Sequence, residues 1–376
     1  MAEAQATLGN WRDAPHSQWG FANVDKIILT EAIKASKQPK AFEDEKKSFN
    51  DFKIRLLQIP ILSLSSYLQH TSTDGIVVLH KGTVGYEHYD HGNTGTTKHI
   101  LMSITKSVTG LITGILSEKG VIDLNAPIKQ YVPEASSIFD DVTVQQCLDM
   151  SSGIKYNDNI PEYRGAAGWA PLPPDAKALT LHHFLSTVEA PTTGPGSAFN
   201  YCSLNTDLLG WALERASGRK LAELITELLW QPLGAESDAL LTVDSEGSPR
   251  NAGGLCATVR DLARLGQLVA EGGRGIVPPG WIDDMLNGGD KALWSKGAFA
   301  PMFYGNYSSV AYRSCWYADS ETATLIAIGI HGQQLMVDVK NNIVMAKTAS
   351  QADPVSGMNI VANVLAFKEF RRILLG

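Results

Sequence analysis

The sequence predicts an α+β fold, in which an antiparallel sheet flanked by helices is built from both ends of the chain and a mainly helical domain is inserted between them. Two observations place the sheet. GIVVLH and TVGYEHY flank Lys81-Gly82 in the form of a tight hairpin, and strand-like runs return in SSVAYRSCWYAD, TATLIAIGIHG, LMVDV and IVMAKTA. The third observation is the mainly helical periodicity of residues 136–250. We therefore expect 1–135 and 251–376 to form the sheet domain and 136–250 the inserted one.

The individual elements follow from local patterns. The lysine-rich stretch from Lys34 to Lys53 predicts a solvated helix and connection. LMSITKSVTGLITGILSEKG predicts an amphipathic helix that stops at Gly120. Four short helices are expected in VTVQQCLDM, ALTLHHFLSTV, LNTDLLGWALERASG and LAELITELLWQPLG, with a long irregular loop over 154–175 between the first two. Thr258 is predicted to cap the helix TVRDLARLGQLVAEGG, and a last helix is expected around 361–375.

Composition excludes several classes of function. The 376 residues are 44% hydrophobic and 19% charged, which suits a folded globular chain. The net charge of −7, without a basic run, argues against a nucleic-acid partner. No apolar stretch reaches the roughly 20 residues of a membrane span, and the N-terminus lacks the pattern of a secretory signal. We therefore expect a cytoplasmic protein that acts on a small molecule.

The main chemical clue is Ser103-Ile104-Thr105-Lys106, an SxxK pattern at the predicted start of a helix. Residues three apart lie on one face of a helix, so the lysine amine can reach the serine hydroxyl. A serine is a weak nucleophile until a base takes its proton, and a desolvated lysine can be that base. The same spacing at Ser152 and Ser217 falls in glycine-containing turns, and we expect neither to be catalytic.

The segments GIVVLHKG, MSITKSVTGLITGILSEKG, VIDLNAPIKQYVPE and VTVQQCLDMSSGI together resemble the serine β-lactamase and penicillin-binding-protein superfamily. The resemblance implies a β-lactamase/penicillin-binding-protein-like fold. Tyr201-Cys202-Ser203 looks like the Tyr-x-Asn/Ser second motif of class C β-lactamases and related esterases. That match makes Tyr201 a candidate to relay a proton to the leaving group.

The third motif of the superfamily departs from its usual Lys-Thr-Gly form. By strand order it falls at Ala327-Ile328-Gly329, which has no lysine. The backbone N–H of Ile330 is then expected to bind an oxyanion together with that of Ser103. Lys347-Thr348-Ala349 imitates the motif one strand later, and we treat it as a decoy. Loss of the cation removes the usual anchor for a carboxylate and argues against a penicillin-type substrate.

A closer resemblance, to the 6-aminohexanoate-dimer hydrolases, extends over WRDAPHSQWGFANVDKI, FNYCSLNTDLLGWALERASG, GGLCATVRDLARLGQLV and GIHGQQLMVD. It implies Ser103 as nucleophile, Lys106 as base, Tyr201 as proton relay and an acyl-enzyme that water releases. It also implies an amide substrate and a homodimer. A carboxylesterase or acyltransferase on the same residues remains an alternative, and a non-catalytic small-molecule-binding protein is a more remote one.

The remaining candidate residues concern substrate binding and metal. Tyr163 and Trp169, in the loop before residue 175, are predicted to contact substrate, and His331 is predicted to line the cleft. His88 and His91 look like a solvated strand end, because a third ligand at a standard spacing is not visible. The sequence therefore predicts neither a metal nor a cofactor.

Overall fold

The computed structural model describes residues 6–57, 59–303 and 305–376. In these residues the strands form two sheets, one of eight strands and one of four. The strands are β1 (Thr30–Ile33), β2 (Glu43–Asp44), β3 (Thr73–His80), β4 (Thr83–Tyr89), β5 (His99–Ile100), β6 (Ala239–Thr242), β7 (Leu255–Ala257), β8 (Val310–Arg313), β9 (Trp316–Asp319), β10 (Thr324–Gly329), β11 (Gln333–Asp338) and β12 (Ile343–Ala349).

The large sheet has the order β2-β4-β3-β12-β11-β10-β9-β8, and the small one the order β1-β6-β7-β5. Neighbours are antiparallel except for the short parallel pair of β2 and β4. The large sheet thus joins strands from the first 90 residues to strands from the last 70, as predicted. An antiparallel sheet flanked by helices is confirmed.

Helices cover both faces of the large sheet. The α-helices of the described residues are α1 (His16–Gly20), α2 (Leu64–His70), α3 (Ile104–Glu118), α4 (Val144–Leu148), α5 (Pro161–Ala166), α6 (Leu181–Thr187), α7 (Ser203–Ser217), α8 (Leu221–Ile225), α9 (Gln231–Leu233), α10 (Val259–Ala270), α11 (Pro279–Asn287), α12 (Lys291–Ser295) and α13 (Gly357–Leu375). None of the helices in the described residues combines the length and the apolar character of a membrane-spanning segment.

Burial of both faces explains why the strands are almost continuously apolar. In β3, Val77 and Leu79 pack in one core cluster while Ile76 and Val78 pack in the other. The first cluster includes residues of α3, α7 and α10, and the second includes residues of α2 and α13. The sheet is therefore the middle layer of the molecule.

Local signals in the sequence are confirmed where they depend on neighbouring residues. Lys81 and Gly82 both have positive φ, at 52° and 82°, which is the geometry of a two-residue hairpin turn. Gly120 follows α3 with φ of 68°. The Thr258 hydroxyl accepts the N–H of Asp261, and this caps α10.

Other local expectations were wrong. The helix predicted within residues 34–53 is absent; this stretch is an irregular connection that supplies β2, whose two residues pair with Thr83 and Val84. The stretch 154–175 is not wholly irregular, because Pro161 starts α5. Strand β6 lies inside the region predicted to be mainly helical. The boundaries at 135/136 and 250/251 remain a prediction.

Helix α3 packs closely in the first cluster, and Gly110 allows its backbone to approach the turn between β8 and β9. All residues from Ile104 to Leu116 are buried. A Cβ on Gly110 would overlap the carbonyl oxygen of Ser314, in the turn between β8 and β9. The middle of α3 is thereby held against the turn between β8 and β9.

Candidate active site

Ser103 stands at the N-cap of α3, directly after a residue in an uncommon backbone conformation. Met102 has φ of 49°, and Ser103 has already turned into the helical region, with φ of −66° and ψ of −6°. The strained residue and the following helix turn the chain sharply at the serine, whose side chain lines a cavity. The first free N–H groups of the helix lie at the same end.

Lys106 lies one helical turn further, and its amine contacts the serine. Its Nζ is 2.8 Å from Ser103 Oγ and 2.6 Å from the carbonyl oxygen of Ala252. The side chain is 1% exposed. Burial lowers the pKa of Lys106 to about 8, against the opposing attraction of Asp158. A neutral amine can donate to Ala252 and still accept the proton of Ser103.

Tyr201 precedes α7 by two residues and lies beside Ser103 and Lys106. The Lys106 amine lies 5.0 Å from the centre of its ring. Burial raises the pKa of Tyr201 well above its usual value, and its interaction with the Ser103 hydroxyl only partly offsets this. The phenol therefore keeps its proton, which suits a proton donor. The ring is held between Phe299, 5.3 Å away, and Tyr312, 6.4 Å away.

The third-motif segment ends β10 beside the serine. A Cβ on Gly329 would come within 2.5 Å of the carbonyl oxygen of Leu101, two residues before Ser103. Only glycine fits this approach. Ile330 follows and lines the same cavity as Ser103. Lys347, the decoy lysine, lies on β12 with its Nζ 3.4 Å from the carbonyl oxygens of both Thr71 and Gly332.

The cavity in front of Ser103 is mostly apolar. Its walls come from the segments around α12, β9, β10, β11 and the start of α13. The described residues that line it are Ser103, Tyr201, Phe299, Met302, Phe303, Tyr317, Ile328, Gly329, Ile330, Gly332, Gln334, Gln351, Pro354, Val355, Ser356, Ile360 and Asn363.

A buried ionic network supports the site from behind, and the sequence did not reveal it. Asp207 accepts hydrogen bonds from the Tyr163 hydroxyl, at 2.6 Å, from the Arg250 guanidinium, and from the N–H of Ala252, at 2.8 Å. The carbonyl oxygen of Ala252 accepts a hydrogen bond from Lys106. The network that holds the Ala252 N–H therefore also positions the Lys106 amine. Its members are far apart in sequence and match no local motif.

Tyr163 belongs to that network rather than to the cavity. It is fully buried, and the guanidinium of Arg250 lies 4.4 Å from the centre of its ring. Trp169 is 6% exposed, and its indole N–H donates to Thr242 at 2.9 Å. The structure does not place either residue on the wall of the Ser103 cavity. Their predicted contacts with substrate stay predictions.

His331 lies next to Ile330 but lines a second pocket, which it shares with Trp169, Arg12 and Arg164. Its Nδ1 is 2.8 Å from the carbonyl oxygen of Gln351, so Nδ1 carries the proton. Burial lowers the pKa of His331 to about 4. The ring is thus neutral at pH 7.

His91 is half of a histidine pair that holds a buried carboxylate. His91 Nδ1 and His99 Nε2 lie 2.7 Å and 3.0 Å from the two oxygens of Asp74. Burial would raise the pKa of Asp74, but bonds from His99, His91 and Ser350 outweigh it and lower the pKa. Residues 6–57, 59–303 and 305–376 contain no group of three or more His, Cys, Asp or Glu side chains that could hold a metal ion.

Comparisons with known proteins relate this chain to one family. The family model described as beta-lactamase matches residues 65–366. The chain is 34% identical over 367 residues to a 6-aminohexanoate-dimer hydrolase from Paenarthrobacter ureafaciens, covering 94% of this chain and 90% of that protein.

Solved structures give the same picture of the fold. A Bacillus anthracis protein, itself proposed to be a 6-aminohexanoate-dimer hydrolase, superposes with a TM-score of 0.88 at 26% identity, over 99% of this chain and 98% of that one. A D-stereospecific amidohydrolase from a Streptomyces species superposes with a TM-score of 0.58 at 18% identity, over 80% and 98% of the two chains. The second likeness shows the fold alone.

Proposed function

Because the chain belongs to the beta-lactamase family, and within it to the 6-aminohexanoate-dimer hydrolases, we propose that it cleaves an amide bond of a small linear substrate through an acyl-Ser103 intermediate. Membership makes it a serine hydrolase with the β-lactamase-like fold. The reaction proposed for it rests above all on one observation. The buried Lys106 amine lies 2.8 Å from the Ser103 hydroxyl, at the end of a cavity.

In the first half of the proposed reaction, the neutral Lys106 amine takes the Ser103 proton as Oγ attacks the substrate carbonyl. The tetrahedral oxyanion is bound by the backbone N–H groups of Ser103 and Ile330. Tyr201 gives its proton to the departing nitrogen and regains one from Lys106. The products of this half are the free amine and the acyl-serine ester.

In the second half, water takes the place of the amine. The neutral Lys106 amine takes one proton of the attacking water as the water oxygen adds to the ester carbonyl, and it returns that proton to Ser103 Oγ as the C–Oγ bond of the tetrahedral intermediate breaks and the carboxylic acid leaves. The balance is one water consumed for each amide cleaved. Neither half draws on a metal or an organic cofactor.

The carboxylesterase and acyltransferase alternatives use the same three side chains and differ in what captures the acyl group. Proteins with this fold include some whose names describe amide cleavage and one named a carboxylesterase. The fold alone therefore does not distinguish an amidase from the two alternatives. The identity with an amide-cleaving relative over nearly the whole chain favours the amidase. The cytoplasmic location and the homodimer remain predictions.

The first test is covalent labelling. Wild type, Ser103→Ala and Ser217→Ala proteins are treated with a fluorophosphonate and weighed intact by mass spectrometry. We expect one adduct on wild type and on Ser217→Ala, whose hydroxyl is bonded to the Leu213 carbonyl in a helix, and none on Ser103→Ala. An adduct on Ser103→Ala would contradict the assignment of the nucleophile.

The second test identifies the reaction. Wild type is given linear 6-aminohexanoate oligoamides and p-nitrophenyl esters, with and without an added primary amine or alcohol. Faster release from oligoamides than the background supports the amidase. Turnover of esters alone would favour the carboxylesterase, and transfer of the acyl group to the added nucleophile in preference to water would favour the acyltransferase.

A further inference from the structure

The NH₂ group of one amide side chain in the Ser103 cavity lacks a hydrogen-bond partner in the described residues. Three amides line the wall: Gln334, Gln351 and Asn363. Gln351 Nε2 already donates to a backbone carbonyl at 3.1 Å, and Asn363 Nδ2 donates to Gln334 Oε1 at 3.3 Å. Gln334 Nε2 has no partner among the described residues, although the side chain is only 1% exposed. A buried donor without a partner is costly, and one that lines a cavity is available to a ligand.

A chain of hydrogen bonds fixes which end of Gln334 is left unpaired. The Tyr67 hydroxyl donates to Asn363 Oδ1 at 2.8 Å, and Asn363 Nδ2 donates to Gln334 Oε1. Burial raises the pKa of Tyr67, so its proton stays in place. Reversing both amides would leave that buried proton without its acceptor. The unpaired group is therefore the NH₂ of Gln334, a donor.

The walls around this donor are uncharged. The described lining contains no Lys, Arg, His, Asp or Glu, and its large apolar side chains include those of Phe299, Met302, Phe303, Tyr317, Ile328, Val355 and Ile360. Lys347 lies behind the wall, with its amine directed at the carbonyl oxygens of Thr71 and Gly332. A carboxylate placed here would lose its hydration without a paired cation, whereas a neutral carbonyl loses much less.

The register of the sheet gives the distance from the reaction centre. Gln334 on β11 is paired with Ile328 on β10, so their side chains share one face. Ile328 is two residues before Ile330, the proposed oxyanion donor. Since β10 ends at Gly329 and Ile330 begins the turn to β11, Gln334 lies within two residue positions of that donor, a distance on the order of 7 Å.

We infer that Gln334 is a specificity-determining residue, whose NH₂ group donates a hydrogen bond to an uncharged carbonyl oxygen of the substrate, remote from the bond that is cleaved. This inference rests on the proposed function, because it takes Ser103 as the point of cleavage. The substrate class that fits is a linear apolar chain with a second neutral carbonyl, as in an oligoamide. An unbranched alkyl chain of equal length leaves the donor unpaired.

The test uses matched substrates that differ only in the remote carbonyl. Values of kcat/KM are measured for p-nitrophenyl octanoate, for its 5-, 6- and 7-oxo derivatives, and for the octanedioate monoester, which ends in a carboxylate. A second series carries the ketone in the alcohol part of octyl acetates. The proteins are wild type, Gln334→Met, Gln334→Glu and Gln351→Met. Gln351→Met is the matched control, because it removes an amide of the same cavity that is already bonded.

We expect wild type and Gln351→Met to prefer one oxo substrate over its parent by about three- to tenfold, the effect of one neutral hydrogen bond, and not to prefer the carboxylate. In Gln334→Met the preference falls to about one, and in Gln334→Glu it reverses. Equal preferences in wild type and Gln334→Met, in both series, would overturn the inference, as would an equal loss in Gln351→Met.

Labelling with a fluorophosphonate separates failure of this inference from failure of the proposed function. If all four proteins form the Ser103 adduct and the oxo preference is absent, only the role of Gln334 is wrong. If wild type forms no adduct, the proposed function fails, and the inference fails with it.

Discussion

Two buried lysines of this protein have similar surroundings and different consequences. Lys106 at the start of α3 is 1% exposed, and Lys347 in β12 is fully buried. Burial lowers the pKa of Lys106 to about 8 and that of Lys347 to about 7. Lys106 contacts a serine hydroxyl at 2.8 Å, whereas Lys347 lies 3.4 Å from two backbone carbonyl oxygens.

The comparison separates a perturbed pKa from a catalytic role. A carbonyl oxygen has no proton to give, so a neutral Lys347 has nothing to deprotonate. Lys106 faces a group that becomes a nucleophile when its proton leaves. Whether a buried lysine can act as a base thus depends on its neighbour and on access to a cavity. Lys347, like Tyr163, is not among the residues that line the Ser103 cavity.

Removal of the nucleophile should have the largest effect. Ser103→Ala is expected to lower kcat by about a million-fold, since no other group at the site can form the acyl-enzyme. The circular dichroism spectrum and melting temperature should stay close to wild type, because the hydroxyl bonds only side chains of the site. Turnover within tenfold of wild type would contradict the proposed mechanism.

Exchange of each lysine for methionine tests the comparison directly. Lys106→Met should lower kcat/KM by about a thousand-fold, within the range for loss of a general base. Lys347→Met should leave kcat/KM within about threefold of wild type. The measurement is the steady-state rate on the best substrate of the panel, and similar losses in both variants would show that the contact with Ser103 does not matter.

Tyr201→Phe should have an intermediate effect, a loss of about a hundred-fold in kcat, because a phenyl ring keeps the packing and removes only the proton. The loss should be smaller for a p-nitrophenyl ester than for an amide, since a phenolate leaves without protonation. Tyr307→Phe is the control, with a buried hydroxyl that has no partner in the described residues. Equal losses on esters and amides would argue against a relay to the leaving group.

The pH profile of activity should report Lys106. Only its neutral form can accept the Ser103 proton, so kcat/KM should rise about tenfold per pH unit below pH 8 and level off above it. The same profile should appear in Lys347→Met, whose missing amine has no part in the reaction. If the wild-type profile instead rose near pH 7, and this rise disappeared in Lys347→Met, the base would be Lys347 and the assignment to Lys106 would be wrong.

The smallest expected effect is on the pH dependence of stability. The pKa of Lys347 is about 7 in the folded protein and near 10.4 when unfolded, so the unfolded state binds more protons between these values. The free energy of unfolding should therefore rise with pH from about 7 to 10, and Lys347→Met should reduce the slope by up to about 1.4 kcal/mol per pH unit. Urea unfolding at several pH values measures it; an unchanged slope would contradict a neutralised lysine.

Features predicted well from the sequence depend on residues close together in the chain. The Lys81-Gly82 turn and the Thr258 cap follow from conformational preferences over at most four positions, and the helix after Ser103 follows from apolar residues that recur every three or four positions. The course of residues 34–53, a connection that contains β2, could not be predicted in this way. Its two-residue strand exists because it pairs with β4, and a lysine-rich composition carries no sign of that partner.

By itself, the sequence determined the spacing of Ser103 and Lys106, the family resemblance and the absence of a lysine from the third motif. Helical geometry fixes a contact between residues three apart, so the motif was sufficient. Only the tertiary structure decided what surrounds them. Ala252 lies 146 positions from Lys106, and Asn363 lies 29 positions from Gln334. Such contacts arise when the sheet brings distant segments together, and burial there lowers the pKa of Lys106, the proposed base, and leaves the NH₂ of Gln334 without a partner in the described residues.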